Sequence, residues 1–147
     1  MTDPMRGVFR GFDIATSGLR ADLQRAEIIS ANLTNMHDTG NATNEPYRRQ
    51  IVTFEEVLDE VDGKGGVEKR AAGVGVARVE QDRSQLPSFY QPGHPDADEK
   101  GMVLGSNVDL FQELVDLSIT QRSLDANLNA MRTYRTMLQS TIQNMSR

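Results

Sequence analysis

The chain has no cysteine and no tryptophan among its 147 residues, and aromatic residues make up only 5%. The missing cysteine excludes disulfides and thiolate metal sites. The shortage of large aromatic side chains argues against one large compact core. No run of about 18 apolar residues occurs, so no helical membrane insertion is expected. The opening MTDPMRGVFRGFDIA has no basic region followed by a continuous apolar run, so no cleaved secretory signal is expected. Glycine-rich phosphate loops, GxSxG elbows and HExxH helices are missing, so neither a catalytic residue nor a cofactor is assigned.

The chain also lacks a basic stripe. Its net charge is −5. Residues 1–36 carry four acids and four bases, and residues 108–147 again carry four of each. The remaining stretch holds thirteen acids and eight bases, which accounts for the whole imbalance. The two ends are therefore neutral and the middle is the solvated part. Nucleic acid is an unsuitable partner, because nothing is present to displace counterions from phosphates.

What is there is periodic. Residues 4–36 read as a helix, with Asp3 as N-cap and Pro4 in the first helical position. Phe12, Leu19, Ala26 and Leu33 fill one heptad position, and Ala15, Asp22, Ile29 and Met36 the other. From Asn107 to Met145 the signal is stronger. Leu110, Leu117, Leu124, Met131, Leu138 and Met145 fill one position without exception. Leu114, Gln121, Leu128, Arg135 and Ile142 fill its partner, with Asn107 expected as the cap. Gln121 and Arg135 are either solvent-facing gaps or contacts that set register. Gly18 is either tolerated at a cost of about 1 kcal/mol or admits another helix closely over Ser17 and Gly18.

Between the helices the period changes. Residues 50–58 (QIVTFEEVL), whose last residues fit a helix as well, and 73–82 (GVGVARVEQD) read as strands, 63–66 as a turn, and 88–98 as proline-punctuated loop. The fold class is therefore α+β. Long N- and C-terminal helices (1–36 and 107–147) pair as a coiled coil around a small β-rich insert (37–106). A compact chain of this length has a radius of gyration of roughly 15 Å. Helices of 30 and 40 residues are about 45 and 60 Å long. Such helices overhang the insert, so their stripes need partners in other chains.

One cluster suggests chemistry. His94, Asp96, Asp98 and Glu99, in PGHPDADEKG, offer nitrogen and oxygen ligands on one loop. A coiled-coil dimer with a metal- or ligand-binding loop is thus the alternative reading, against an acidic loop fixed by Pro92 and Pro95. Three glycosylation sequons, at Asn32, Asn41 and Asn144, are short enough to occur by chance.

SGLRADLQRAEIISANLTNMHDTG and NVDLFQELVDLSITQRSLDANLNAMRTYRTMLQSTI resemble the N- and C-terminal signatures of the bacterial flagellar rod and hook (axial) proteins. Within that group, PYRRQIVTFEE and YQPGHPDADEKGMVLGSNVDL resemble the C-type subunits of the proximal rod. Pro46, Tyr47, Arg48 and Arg49, with His94, Pro95, Asp96 and Ala97, carry that narrower likeness.

The resemblance implies a structural subunit without enzymatic activity. Its terminal helices would pack with those of copies of itself and of other rod proteins into a hollow axial tube. It also implies a rod-to-MS-ring adaptor as neighbour. Passage would be through the flagellar export apparatus, without signal cleavage, to the periplasmic part of the basal body. The packing residues expected on this basis are Phe12, Gly18, Leu19, Ile29, Asn32, Leu33, Asn35, Leu110, Leu114, Leu117, Leu124, Leu128, Met131, Leu138 and Ile142. Asn32 and Asn35 lie three residues apart on one side of the helix. They are expected to face neighbouring subunits, bonding backbone or other amides there, before Thr39-Gly40 turns the chain into the insert.

Overall fold

The computed structural model describes residues 4–63 and 66–145. The element order is α1 (Pro4–Thr34), β1 (Thr39–Gly40), β2 (Gln50–Gly63), β3 (Gly66–Gln81), β4 (Ser88–Tyr90), β5 (Met102–Gly105) and α2 (Leu110–Met145). This is an α+β chain with a helix at either end and small sheets between. The cap assigned to Asp3 and the turn residues Lys64 and Gly65 lie outside the described residues.

Both helices follow the apolar spacing, and α2 runs 36 residues without glycine or proline. Its cap differs from the expectation. Asp109, not Asn107, closes the first turn: its Oδ1 accepts the Gln112 N–H at 2.9 Å and its carbonyl accepts the Glu113 N–H at 3.0 Å. Asn107 lies before the helix and bonds other segments instead. At the end of α1, the Asn35 side chain donates back to its own helix, to the Ala31 carbonyl at 2.8 Å. Asn35 therefore finishes a helix terminus and is half-buried within its own chain.

The strands extend past the residues that alternate clearly. β2 and β3 pair as a two-stranded hairpin that continues through acidic residues to Gly63. A second sheet has the order β1-β5-β4, with Thr39 opposite Gly105 and Phe89 opposite Val103. The stretch read as loop over 88–98 thus starts with a strand, and Thr39-Gly40 is a strand rather than a free exit.

Two compact units form, and neither follows chain order. One gathers the N-terminal stretch to Gln24, Phe54–Ala77 and the chain from Ile119; the other gathers Arg25–Thr53 and Arg78–Ser118. In the first, α1 and α2 run antiparallel. Asp22 Oδ2 accepts Ser123 Oγ at 2.6 Å and Asn127 Nδ2 at 2.9 Å, Gly18 faces the Asn127 amide, and Gly11 faces the Tyr134 ring. The helix that approaches Gly18 is therefore the chain's own α2. A side chain built on Gly18 would come within 2.9 Å of that amide.

The hairpin docks on α1 in the same unit. Arg10 donates to the Ala71 carbonyl through Nε at 3.1 Å and Nη2 at 2.6 Å, and the Val74 N–H donates to Ser17 Oγ at 3.0 Å. Gly73 lies buried between them with φ +156, and any side chain there would collide with Ser17. Glycine is needed at that point for close backbone approach.

Candidate functional site

Few apolar side chains are buried in the second unit; among the described residues they include Ile29 and Val103. The largest fully buried side chains there include two polar ones, Glu113, at 0% exposure, and Asn32, at 1%. They form the centre of a polar clasp.

Asn32 stands two residues before the end of α1. Its Oδ1 accepts the Gln50 N–H and the Tyr47 hydroxyl, both at 2.9 Å. Its Nδ2 donates to the Gln50 carbonyl at 2.9 Å and to Glu113 Oε2 at 3.2 Å. Both lone pairs and both hydrogens of the amide are thus used. Towards Gln50 the amide does what a neighbouring strand would do, pairing with N–H and C=O together. A buried charged or branched apolar residue could not reproduce that. Asn32 is therefore corrected from a residue facing other subunits to one enclosed by its own chain.

Arg49 supplies the charge that Glu113 requires. Its Nε donates to Glu113 Oε1 at 2.5 Å and its Nη2 to Asp116 Oδ2 at 2.9 Å. The Arg49 N–H goes to Asn107 Oδ1 at 2.8 Å, and its carbonyl receives the Asp82 N–H at 2.7 Å, at the root of the hairpin. Asn107 also donates to the Asp82 carbonyl at 3.2 Å and to Ser84 Oγ at 2.9 Å. Arg48 donates to the Ser84 carbonyl at 3.1 Å and pairs with Glu45 at 3.4 Å. The Tyr47 N–H donates to Asp38 Oδ2 at 2.7 Å. Pro46 is buried beside them.

Burying a carboxylate alone is prohibitive; pairing it with a guanidinium and an amide makes it tolerable. Among the described residues, no buried side-chain nitrogen or oxygen lacks a partner. Burial, and then the charge of Glu113, push the Tyr47 hydroxyl above its ordinary value near 10.0. The hydroxyl stays protonated and remains a donor to Asn32.

The sequence reading missed Glu113, Asp116, Asn107 and Gln50. Glu113 was hidden because an acid in the first turn of a helix already has a local reason to be there. The run Pro46–Arg49 was recognised only as a motif, and the clasp is what that motif builds.

The expected packing stripe divides. Ile29 is buried; Phe12, Leu19, Leu33, Leu117, Leu124, Met131 and Leu138 are half-buried; Leu110, Leu114, Leu128 and Ile142 are exposed. Leu19, Leu23, Leu124 and Leu128 line an open groove of about 570 Å³ in the first unit, with Gln121 and Asp125 at its edge. Gln121 and Arg135 are both exposed.

The loop after β4 is closed by its own polar groups. His94 Nδ1 accepts the Asp96 N–H at 3.1 Å, and Asp96 Oδ2 accepts Thr39 Oγ1 at 2.8 Å. Asp98 Oδ1 accepts the N–H groups of Lys100 and Met102, each at 2.8 Å. Pro95 and Glu99 are exposed and Ala97 half-buried. The carboxylates shape turns and tether the loop to β1, and among the described residues no three metal-capable side chains converge.

Similarity to known proteins agrees with this architecture. Residues 99–144 match the family described as flagellar basal body rod FlgEFG protein C-terminal. The chain is 40% identical over 130 residues to the flagellar basal-body rod protein FlgC of Agrobacterium fabrum, covering 88% of each. It is 32% identical to FlgC of Borreliella burgdorferi and 33% to that of Bacillus subtilis, covering 92% of this chain and 96% of each relative. With that identity over nearly its whole length, the chain belongs to the FlgC family of structural proteins of the flagellar basal-body rod.

Proposed function

We propose that the chain polymerises through its terminal helices, residues 1–36 and 107–147, into the hollow axial shaft of the proximal rod, with residues 37–106 as the insert between them. The observation that carries this reading is the uncovered apolar stripe on α2. Phe111 is 78% exposed, Val115 59% and Ile119 51%, four residues apart along one side of the helix. Burying such side chains is worth about 1.5–3 kcal/mol each, and a folded chain that leaves them in water has surface reserved for a partner. The open Leu19–Leu128 groove is a second apolar surface on the same helices. Coiled-coil packing of α1 and α2 is completed by copies of this chain and by other rod proteins. A rod-to-MS-ring adaptor is the neighbour at the proximal end. The chain reaches the periplasm through the flagellar export apparatus without signal cleavage.

The test is incorporation. Phe111→Asp changes a side chain that the free chain leaves exposed, so folding of the free chain is expected to be unaffected. In cells that carry the variant beside the parent chain, purified hook–basal bodies are expected to contain the parent chain and to lack the variant by mass spectrometry. Normal incorporation of the variant would remove α2 from the assembly surface.

A further inference from the structure

The clasp joins segments that the sequence keeps far apart, and α2 supplies its buried carboxylate. Asn32 and Glu113 are 81 residues apart, and Arg49 and Glu113 are 64 apart. Without Glu113, Arg49 keeps only Asp116, whose side chain is 40% exposed, and the Asn32 amide loses one of its two acceptors. Arg49 in turn holds the hairpin root, because its carbonyl receives the Asp82 N–H and the next residue, Gln50, is pinned by Asn32. A chain of contacts therefore runs from the first turns of α2 through Glu113 and Arg49 to the start of β2 and the end of β3.

The geometry points to a conformational latch: docking of the first turns of α2, through Glu113, sets the order of the hairpin root. Glu113 is the positioning residue, and it acts through Arg49 and Asn32. The latch has a second side. Phe111 and Val115 lie two residues either way from Glu113, about 200° round the helix, on the uncovered face. Whatever covers that face also holds the turn that carries Glu113, so by linkage it tightens the hairpin root. This last step rests on the assembly reading; the latch itself belongs to the free chain.

Hydrogen exchange on the full-length free chain tests it. In Glu113→Gln, the N–H groups of Gln50 and Asp82 are expected to exchange about tenfold faster or more, although they donate to Asn32 and Arg49 and not to Glu113. The N–H groups of Gln91 and Gly105, which donate to Gly101 and Pro87 around β4 and β5, are expected to keep their parental rates. Asp116→Asn keeps Glu113 and takes the charge from the exposed arm on Arg49. It is expected to give the same pattern, about threefold in size. Unchanged exchange at Gln50 and Asp82 in either variant would overturn the latch. So would equal acceleration at all four amides in Asp116→Asn, because Glu113 and Asp116 would then support the fold at large. Normal incorporation of Phe111→Asp, which would sink the assembly reading, leaves this result untouched, so the two ideas fail separately.

Discussion

Arg49 and Glu113 are 64 residues apart in sequence, yet their side chains meet at 2.5 Å, with the carboxylate 1% exposed and the guanidinium 12%. The pair closes the clasp, and the burial decides how it responds to change. Arg49→Ala leaves a buried carboxylate without its cation and is expected to cost about 3–5 kcal/mol of stability, read from urea unfolding monitored by circular dichroism. The double variant Arg49→Met, Glu113→Leu removes both charges and is expected to recover most of that loss. Equal losses in the single and double variants would show that geometry, rather than uncompensated charge, is what the pair supplies.

Tyr47 makes the clasp sensitive to alkali. Its hydroxyl ionises above the ordinary value near 10.0, because of burial and then the charge of Glu113. The folded chain therefore holds this proton where the unfolded chain has lost it, and stability falls as protons become scarce. The contribution is fully present below about pH 10 and is lost as pH rises through the folded value. Tyr47→Phe is expected to flatten that alkaline decline. At neutral pH it is expected to lose about 1 kcal/mol with the hydrogen bond to Asn32. Unfolding titrations of both chains between neutral pH and pH 11 check it, and an identical alkaline decline in the two would refute the assignment.

Gly73 and Ser17 set how closely the hairpin lies on α1. Gly73→Ala places a methyl group against the Ser17 side chain and is expected to destabilise by about 1–3 kcal/mol. Combining it with Ser17→Gly removes the collision, but also the Ser17 Oγ that accepts the Val74 N–H. Partial recovery is therefore expected. The measurement is the thermal midpoint of the three chains, and full tolerance of Gly73→Ala would mean that hairpin and helix separate freely.

Leu124 lines the open groove between α1 and α2 and is half-buried. Leu124→Arg would bury an unpaired charge in the proposed seam, at a cost on the order of 3–5 kcal/mol. Loss of swimming in soft agar is expected, with the protein still detected by immunoblot. Unimpaired swimming would remove Leu124 from the seam.

Much of the architecture was legible from local pattern. Apolar residues at 3-4 spacing marked α1 and α2, the strand-like run QIVTFEEVL marked the first hairpin strand, and alternation around Val74 and Val76 marked the second. The short strands were not legible. A two-residue β1 and a three-residue β4 contain no period to detect, and they exist only because β5 lies between them. The hairpin was read too short because its distal residues are acidic. Their pairing is held by the backbone, which side-chain hydrophobicity does not report.

Asn32 shows where local reasoning stops. Its presence on the helix could be read directly, and so could the oddity of amides near the end of an apolar-striped helix. Its neighbours could not, because Tyr47, Gln50 and Glu113 come from segments 15, 18 and 81 residues away. The same holds for Asn107, which looks like a cap until Arg49 and Ser84 are found beside it. By itself the sequence determined two long amphipathic helices, a β-rich middle and a surplus of apolar surface, because these depend on which residues recur along the chain. Only the tertiary structure decided which of those residues are enclosed and which stay uncovered. A buried polar group is stable only where its partners arrive, and distant segments bring them there.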